Sequence, residues 1–175
     1  NVNIPMKIKV ITSYKPGTWN QYAKRAVDSV LEHWPQDTDV VVYHETQTQD
    51  VFQHPRVQWL DAHGVQPELL NFKNKYKDDP VANGEIELKP NGVRRPGPMP
   101  SKGSFQWNAV RFSNKVFCVT HAIKSSPGYD YVIWLDADTY SFRPMPESFL
   151  EKVLPKDSLI TYLGRENPKL NDGGK

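Results

Sequence analysis

The first half of the chain contains three short β-favouring runs, and a helical pattern of apolar residues lies between the first and the second of them. Residues 7–12 form a β-favouring run that ends at a turn cluster, residues 14–17. Apolar positions then recur every three to four residues along a predicted helix. Its apolar positions are Tyr22, Ala23, Ala26, Val27, Val30, Leu31 and Trp34. Thr18 is placed to cap this helix and Pro35 to end it. The sequence thus begins with a strand followed by an amphipathic helix.

Two further strands are predicted after this helix. Residues 40–43 are continuously apolar, which is typical of a strand that is covered on both faces. Residues 56–60 form the next β-favouring run. The order strand, helix, strand predicts an α/β fold in which a mostly parallel sheet is flanked by helices. With 175 residues the chain is expected to form a single domain.

Residues 73–104 interrupt this pattern. The segment holds five prolines, four glycines and seven Lys or Arg residues, and it is far longer than an ordinary connection. We interpret it either as a functional loop, such as a lid that closes over a substrate, or as a disordered insertion.

Regular patterning returns at Phe105. Apolar residues spaced by three and four predict an amphipathic helix: Phe105, Ala109, Phe112, Val116, Val119 and Ile123. Residues 131–135 form the most hydrophobic strand and lead directly into Asp136-Ala137-Asp138. A short helix over residues 147–154 and a strand over 158–163 complete the predicted elements.

The two aspartates are the strongest candidate for chemistry. Carboxylates that leave an apolar strand lose hydration unless they are paired or coordinated. Ligands of open α/β sheets bind at the carboxyl ends of the strands, where these residues lie. Their oxygens suit Mg²⁺ or Mn²⁺, which bridge substrate phosphates. The alternative is that Asp136 and Asp138 merely cap the following turn.

Residues 129–139, which read Tyr-Asp-Tyr-Val-Ile-Trp-Leu-Asp-Ala-Asp-Thr, resemble the strand and Asp-x-Asp motif of GT-A-fold glycosyltransferases, notably small viral and bacterial members. The resemblance implies a Rossmann-like GT-A fold and transfer of a sugar from a UDP- or GDP-sugar to an unknown glycan, lipid or protein acceptor. It also implies that Asp138 ligates the metal directly, while Asp136 contacts the ribose or the metal shell. The family's third ligand, often His or Asp, follows the motif, but no histidine follows His121. Water, a partner or further chain is therefore expected to complete the site.

Several other residues are candidates for donor binding. Thr12, Ser13 and Tyr14 end the first strand, where the resemblance places the base. Glu45 follows the second strand and is a candidate acceptor for a base or ribose hydrogen bond. The remaining candidate donor-binding residues are Lys102, Arg111, Asp136 and Ala137.

Each of these candidates has a structural alternative. Arg111 matches phosphate geometry but also suits a solvated helix flank. Lys102 lies in the basic loop, and such loops are usually solvated. Tyr14 is a candidate for stacking on the base, whereas Trp19 is expected to pack beneath the first helix.

Composition excludes some classes of function. A formal net charge of +2 is too small for a sequence-independent grip on nucleic acid. The single cysteine, Cys118, excludes an internal disulfide, and no apolar stretch has the length of a membrane span. The expectation is a cytoplasmic protein that does not span a membrane.

Two other functions remain open. A non-catalytic nucleotide-sugar or carbohydrate-binding module would carry the same motif without turnover. A haloacid-dehalogenase-type phosphatase also uses an Asp-x-Asp after a strand, but Tyr140 stands here where that family has threonine.

Overall fold

The computed structural model describes residues 6–45, 53–88, 94–96, 108–154 and 157–162. In chain order its elements are β1 (Ile8–Ser13), a π-helical turn (Trp19–Ala23), α1 (Lys24–His33), β2 (Asp39–His44), β3 (Val57–Asp61), α2 (Ala62–Val65), α3 (Pro67–Tyr76), β4 (Ile86–Leu88), β5 (Arg94–Pro96), α4 (Ala109–Lys124), β6 (Tyr131–Trp134) and α5 (Glu147–Val153).

The main sheet has four strands in the order β3-β2-β1-β6, and all three pairs of neighbours are parallel. The predicted α/β class with a parallel sheet is therefore confirmed. The sheet is compatible with a Rossmann-like arrangement. Because every strand runs in the same direction, the carboxyl ends of all four strands lie at one edge.

Helices cover both faces of this sheet. On one face, alternate residues of β1 pack with the helix α1 in a core that includes Ile8, Val10 and Val27. On the other face, Ile11 and Tyr43 pack against Leu69 of α3 and Cys118 of α4. The alternation of side chains along β1 thus divides the core into two layers.

The helix predicted after Thr18 is confirmed, with its stripe buried as expected. Thr18 occupies the N-cap, but its hydroxyl donates to the Lys15 carbonyl at 2.7 Å instead of capping the helix. At the other end, the Arg56 guanidinium donates to carbonyls near the C-terminus of α1, including those of Leu31 at 2.5 Å and Pro35 at 3.1 Å. Arg56 thereby joins the end of α1 to the start of β3.

The helix α4 forms where the sequence predicts one, but the predicted buried face is wrong. Val116 and Ile123 are 63% and 60% exposed, and Phe112 is also exposed. The buried positions are instead Ser113, Cys118 and Ala122, which are small and let the helix approach the sheet closely. At about 100° per residue, Val116 and Ile123 lie on the side of the helix away from Cys118 and Ala122. Val119, at the border of the stripe, is partly buried against the core. Phe105, the first residue of that stripe, lies outside the described residues.

The described part of the segment 73–104 contains regular elements that the sequence pattern does not predict. The helix α3 continues to Tyr76, and the Asp79 side chain then accepts hydrogen bonds from the backbone N–H groups of Val81 and Ala82. The strands β4 and β5 pair antiparallel as a small second sheet. Residues 89–93 and 97–104 lie outside the described residues.

At the C-terminal end one prediction is confirmed and another is wrong. The helix α5 forms within the predicted range. The predicted strand over residues 158–163 does not form in its described part, residues 158–162, and Leu159 is 98% exposed there. This apolar run does not pair with any strand that the structure describes. Within the part of the chain that the structure describes, no helix is both long and apolar enough to cross a membrane.

Burial of His121, between α4 and β2, is expected to make stability depend on pH. The His121 Nδ1 atom lies 2.7 Å from the Tyr43 hydroxyl, and burial, assisted by the charge of Lys9, lowers the pKa of His121 below its ordinary 6.5. Below pH 6.5 His121 is protonated in the unfolded chain, whereas in the folded protein it stays neutral to a lower pH. The free energy of unfolding therefore falls as the pH falls. Urea unfolding at pH 7.5 and pH 5.5 should show a larger loss in the parent than in His121→Gln. An equal loss in both proteins would contradict this role of His121.

Candidate functional site

The motif Asp136-Ala137-Asp138 lies in a turn at the carboxyl edge of the sheet. The Leu135 N–H donates to the Ile11 carbonyl at 2.9 Å, which extends the pairing of β6 with β1. The Thr139 N–H then donates to the Asp136 carbonyl at 2.8 Å and closes the turn. Ala137 is buried in the core beneath the turn, whereas both aspartates are exposed. The small apolar residue between the two carboxylates thus anchors the turn and leaves both of them accessible.

The two carboxylates differ in their contacts. The Asp136 Oδ1 atom accepts a hydrogen bond from the Trp134 indole at 2.5 Å and lies 3.3 Å from the Lys115 ammonium. The Lys115 ammonium also lies 5.2 Å from the centroid of the Trp134 ring. Asp138 has no hydrogen bond or ion pair with any other residue that the structure describes. Of the two, Asp138 is therefore the carboxylate that remains available to a ligand.

The start of α4 brings basic residues to the same edge. The Asn108 side chain accepts from the Arg111 backbone N–H at 2.7 Å and caps the helix. Arg111 is exposed and precedes Lys115 by four residues, so both lie on one side of α4. Lys115 contacts Asp136, and Arg111 lies one helical turn before it on the same side of α4. Lys115 is thus the cation that the structure places beside the aspartate turn.

Glu45 belongs to a polar network that the sequence does not reveal. Its two carboxylate oxygens accept from the Lys73 ammonium at 2.7 Å and the Asn114 amide at 2.8 Å. The Asn114 Oδ1 atom is buried without a hydrogen-bond partner in the described structure. Glu45 therefore lies at the predicted edge but is held by two protein donors. The Asn114 Oδ1 atom is the acceptor in this network that has no hydrogen-bond partner among the described residues.

The network surrounds the single cysteine. Burial raises the pKa of the Cys118 thiol to about 12, and the charges of Lys73 and Glu45 act on it in opposite directions. A thiol with such a pKa is almost entirely protonated at neutral pH and is a poor nucleophile. The predicted packing role of Cys118 is consistent with its burial in α4.

The predicted base-binding triplet does not present a continuous surface. Thr12 and Tyr14 are buried on the α1 face, while Ser13 is partly exposed. The Tyr14 ring is 4% exposed and packs on Trp19, with ring centroids 5.4 Å apart, and on Trp59 at 6.3 Å. A base would reach the Tyr14 ring only if this aromatic cluster opened. Ser13 is the member of the triplet that a ligand at the edge can reach directly.

The remaining predictions concern Lys102 and the metal. Lys102 lies outside the described residues. In the described ranges there is no group of three or more His, Cys, Asp or Glu side chains arranged to hold a metal ion. Mg²⁺ and Mn²⁺ are commonly bound by one or two carboxylates together with substrate phosphates, so two carboxylates fit such an ion when phosphates complete its shell.

Comparison of the chain with protein-family models, curated proteins and solved structures found no match. The geometry of the site and the resemblance of residues 129–139 are therefore the features that point to a function.

Proposed function

We propose that this chain is the nucleotide-sugar-binding domain of a metal-dependent glycosyltransferase of the GT-A type. The observation that carries the proposal is the exposed turn of Asp136 and Asp138 at the carboxyl edge of a parallel sheet. A turn that only capped the strand would not need two exposed carboxylates, one of which pairs with Lys115 while the other has no partner among the described residues. The resemblance of the motif to the GT-A family supplies the reaction class.

Asp138 is proposed as the direct metal ligand, because it is exposed and uncommitted among the described residues. Asp136 is held by Trp134 and Lys115, which suits a carboxylate that orients a ribose or a metal-bound water. The chemistry that Mn²⁺ or Mg²⁺ supplies when bound is neutralisation of the charge on the departing diphosphate.

The basic residues of α4 are proposed to contact the diphosphate of the donor. The fork of Arg111 suits bidentate binding of phosphate oxygens. The Lys115 ammonium is 3.3 Å from Asp136, and its positive charge would also attract phosphates that bind beside this pair. Ser13, which is partly exposed at the end of β1, is the polar group available to hydrogen-bond the nucleoside.

We expect a UDP- or GDP-sugar to stabilise the protein only together with Mn²⁺ or Mg²⁺. A ligand at a hundred times its Kd contributes about 2.7 kcal/mol, which corresponds to a rise in Tm of roughly 5–10 °C for a chain of this length. The measurement is a thermal-shift panel of nucleotide sugars with Mn²⁺ and with EDTA. Mn²⁺ alone and the free sugars serve as controls.

The same panel separates the alternatives. Slow hydrolysis of the stabilising donor, detected as release of UDP or GDP, would indicate an enzyme. Stabilisation without such release, and without transfer to any acceptor, would indicate a binding module. If no nucleotide sugar raises the Tm in the presence of metal, the glycosyltransferase proposal is wrong.

A further inference from the structure

A second surface lies on the α1 side of the aspartate turn. It is an open groove of about 400 Å³ between the first helical segment and residues 140–142, which follow the turn. Its volume is in the range of pockets that bind small molecules. The groove is lined by Asn20, Lys24, Arg25, Asp28, Ser29, Glu32, His33, Tyr140, Ser141 and Phe142.

The wall formed by residues 140–142 is fixed in place. The Ser141 N–H donates to the Ser29 hydroxyl at 3.0 Å, and the Ser141 hydroxyl accepts from the Trp34 indole at 2.8 Å. Further along, the Met145 N–H donates to the His33 carbonyl at 2.8 Å. These bonds attach the segment to α1 on both sides of Phe142, so the groove is preformed.

Two aromatic rings in this wall are exposed. Phe142 is 77% exposed and Tyr140 is 41% exposed. The Arg25 guanidinium lies 3.5 Å from the centroid of the Tyr140 ring, and this stacking holds the ring at the mouth of the groove. Exposed apolar rings gain free energy when another apolar face covers them.

The charges of the groove are balanced. The Lys24 ammonium and the Asp28 carboxylate form an ion pair at 2.5 Å, and Glu32 lies 3.9 Å from the His33 ring. A groove with this mixture has no excess of positive charge to attract phosphate. It offers acceptors and donors to hydroxyl groups, together with rings for an apolar face.

We propose that this groove binds a saccharide, whose C–H faces stack on Phe142 and Tyr140 while its hydroxyls bond to Asp28, Glu32 and Asn20. An uncharged polyhydroxylated ring combines the apolar face and the many hydroxyls that this lining complements. Tyr140 is two residues from Asp138, so their Cα atoms lie within about 7.6 Å of each other. The groove is therefore assigned as the subsite for a sugar acceptor, and this assignment rests on the proposed function. The binding of a saccharide in the groove does not depend on that function.

The test is binding of the full chain to an array of fluorescently detected neutral oligosaccharides in EDTA, without any nucleotide sugar. The best-binding oligosaccharide is then titrated against variants. Phe142→Ala and Tyr140→Ala should each weaken binding at least tenfold, while Tyr140→Trp should retain it. Tyr162→Ala, which removes an exposed aromatic ring that does not line the groove, is the matched control and should bind as the parent does.

The outcomes distinguish this inference from the proposed function. Absence of binding to the array, or equal binding by Phe142→Ala, Tyr140→Ala and the parent, would overturn the groove assignment even where a nucleotide sugar still binds with Mn²⁺. Binding that depends on Phe142 and Tyr140, in a chain that no nucleotide sugar stabilises, would support the saccharide groove and remove only its role as an acceptor subsite. Circular dichroism of each variant confirms that the fold is retained.

Discussion

The substitution Asp138→Asn is expected to abolish Mn²⁺-dependent binding of the nucleotide sugar while leaving the fold intact. The side chain keeps its shape but loses the charge that a divalent cation requires. Because Asp138 is exposed and has no partner among the described residues, its replacement should change the free energy of unfolding by no more than about 0.5 kcal/mol. Isothermal titration of Mn²⁺ with donor should show a loss of at least a hundredfold in affinity.

Asp136→Asn supplies the comparison within the motif. The amide can still accept from the Trp134 indole but loses the charge that pairs with Lys115, so donor affinity should fall by a smaller factor. Asp157→Asn, at an exposed carboxylate outside the motif, is the matched control and should behave as the parent. If Asp138→Asn binds Mn²⁺ and donor as tightly as Asp157→Asn does, the proposed metal site is incorrect.

The four strands of the main sheet and the first helix could be predicted because local patterning decides them. The run at residues 40–43 is apolar at every position, and the strand it predicts lies inside a parallel sheet with helices on both faces. The stripe that includes Val27 and Val30 has a single apolar side, so only one orientation of α1 buries it. In such elements the sequence pattern and the tertiary packing select the same face.

The face of α4 could not be predicted from the same pattern. Its larger apolar residues, such as Val116 and Ile123, form the more regular stripe, yet the sheet packs against Cys118 and Ala122. Side-chain size, rather than hydrophobicity, decides how closely a helix approaches a sheet.

The candidate site was predictable to a similar degree. The turn of Asp136 and Asp138 follows from a local sequence signal, namely an apolar strand that ends in two carboxylates. The partners of Glu45 do not, because Lys73 and Asn114 are distant in sequence and meet it only when α3 and α4 pack on the sheet. Likewise, the position of Tyr14 at a strand end does not show that two tryptophans cover its ring.

Tyr14→Ala is expected to lower the free energy of unfolding by about 3–5 kcal/mol, the range for truncation of large buried aromatic side chains. The ring packs against Trp19 and Trp59, which also contact each other, in the core on the α1 face, and alanine leaves a cavity there. A loss of this size is a large part of the total stability of an ordinary domain, about 5–15 kcal/mol. Urea unfolding monitored by tryptophan fluorescence reports the change directly.

Tyr14→Phe and Tyr14→Leu keep the measurement informative if the alanine variant does not fold. Phenylalanine retains the ring and its contacts, so it should cost much less than alanine, and leucine should lie between the two. If Tyr14 acts by packing, the free energy of unfolding should fall in step with the side-chain volume that each substitution removes. If it stacks on a base, nucleotide affinity should fall by about 1–3 kcal/mol with little change in stability. One result would contradict the packing role: Tyr14→Ala lowers the free energy of unfolding by less than about 1 kcal/mol but weakens nucleotide binding by about 1–3 kcal/mol. Tyr14 would then contact the base.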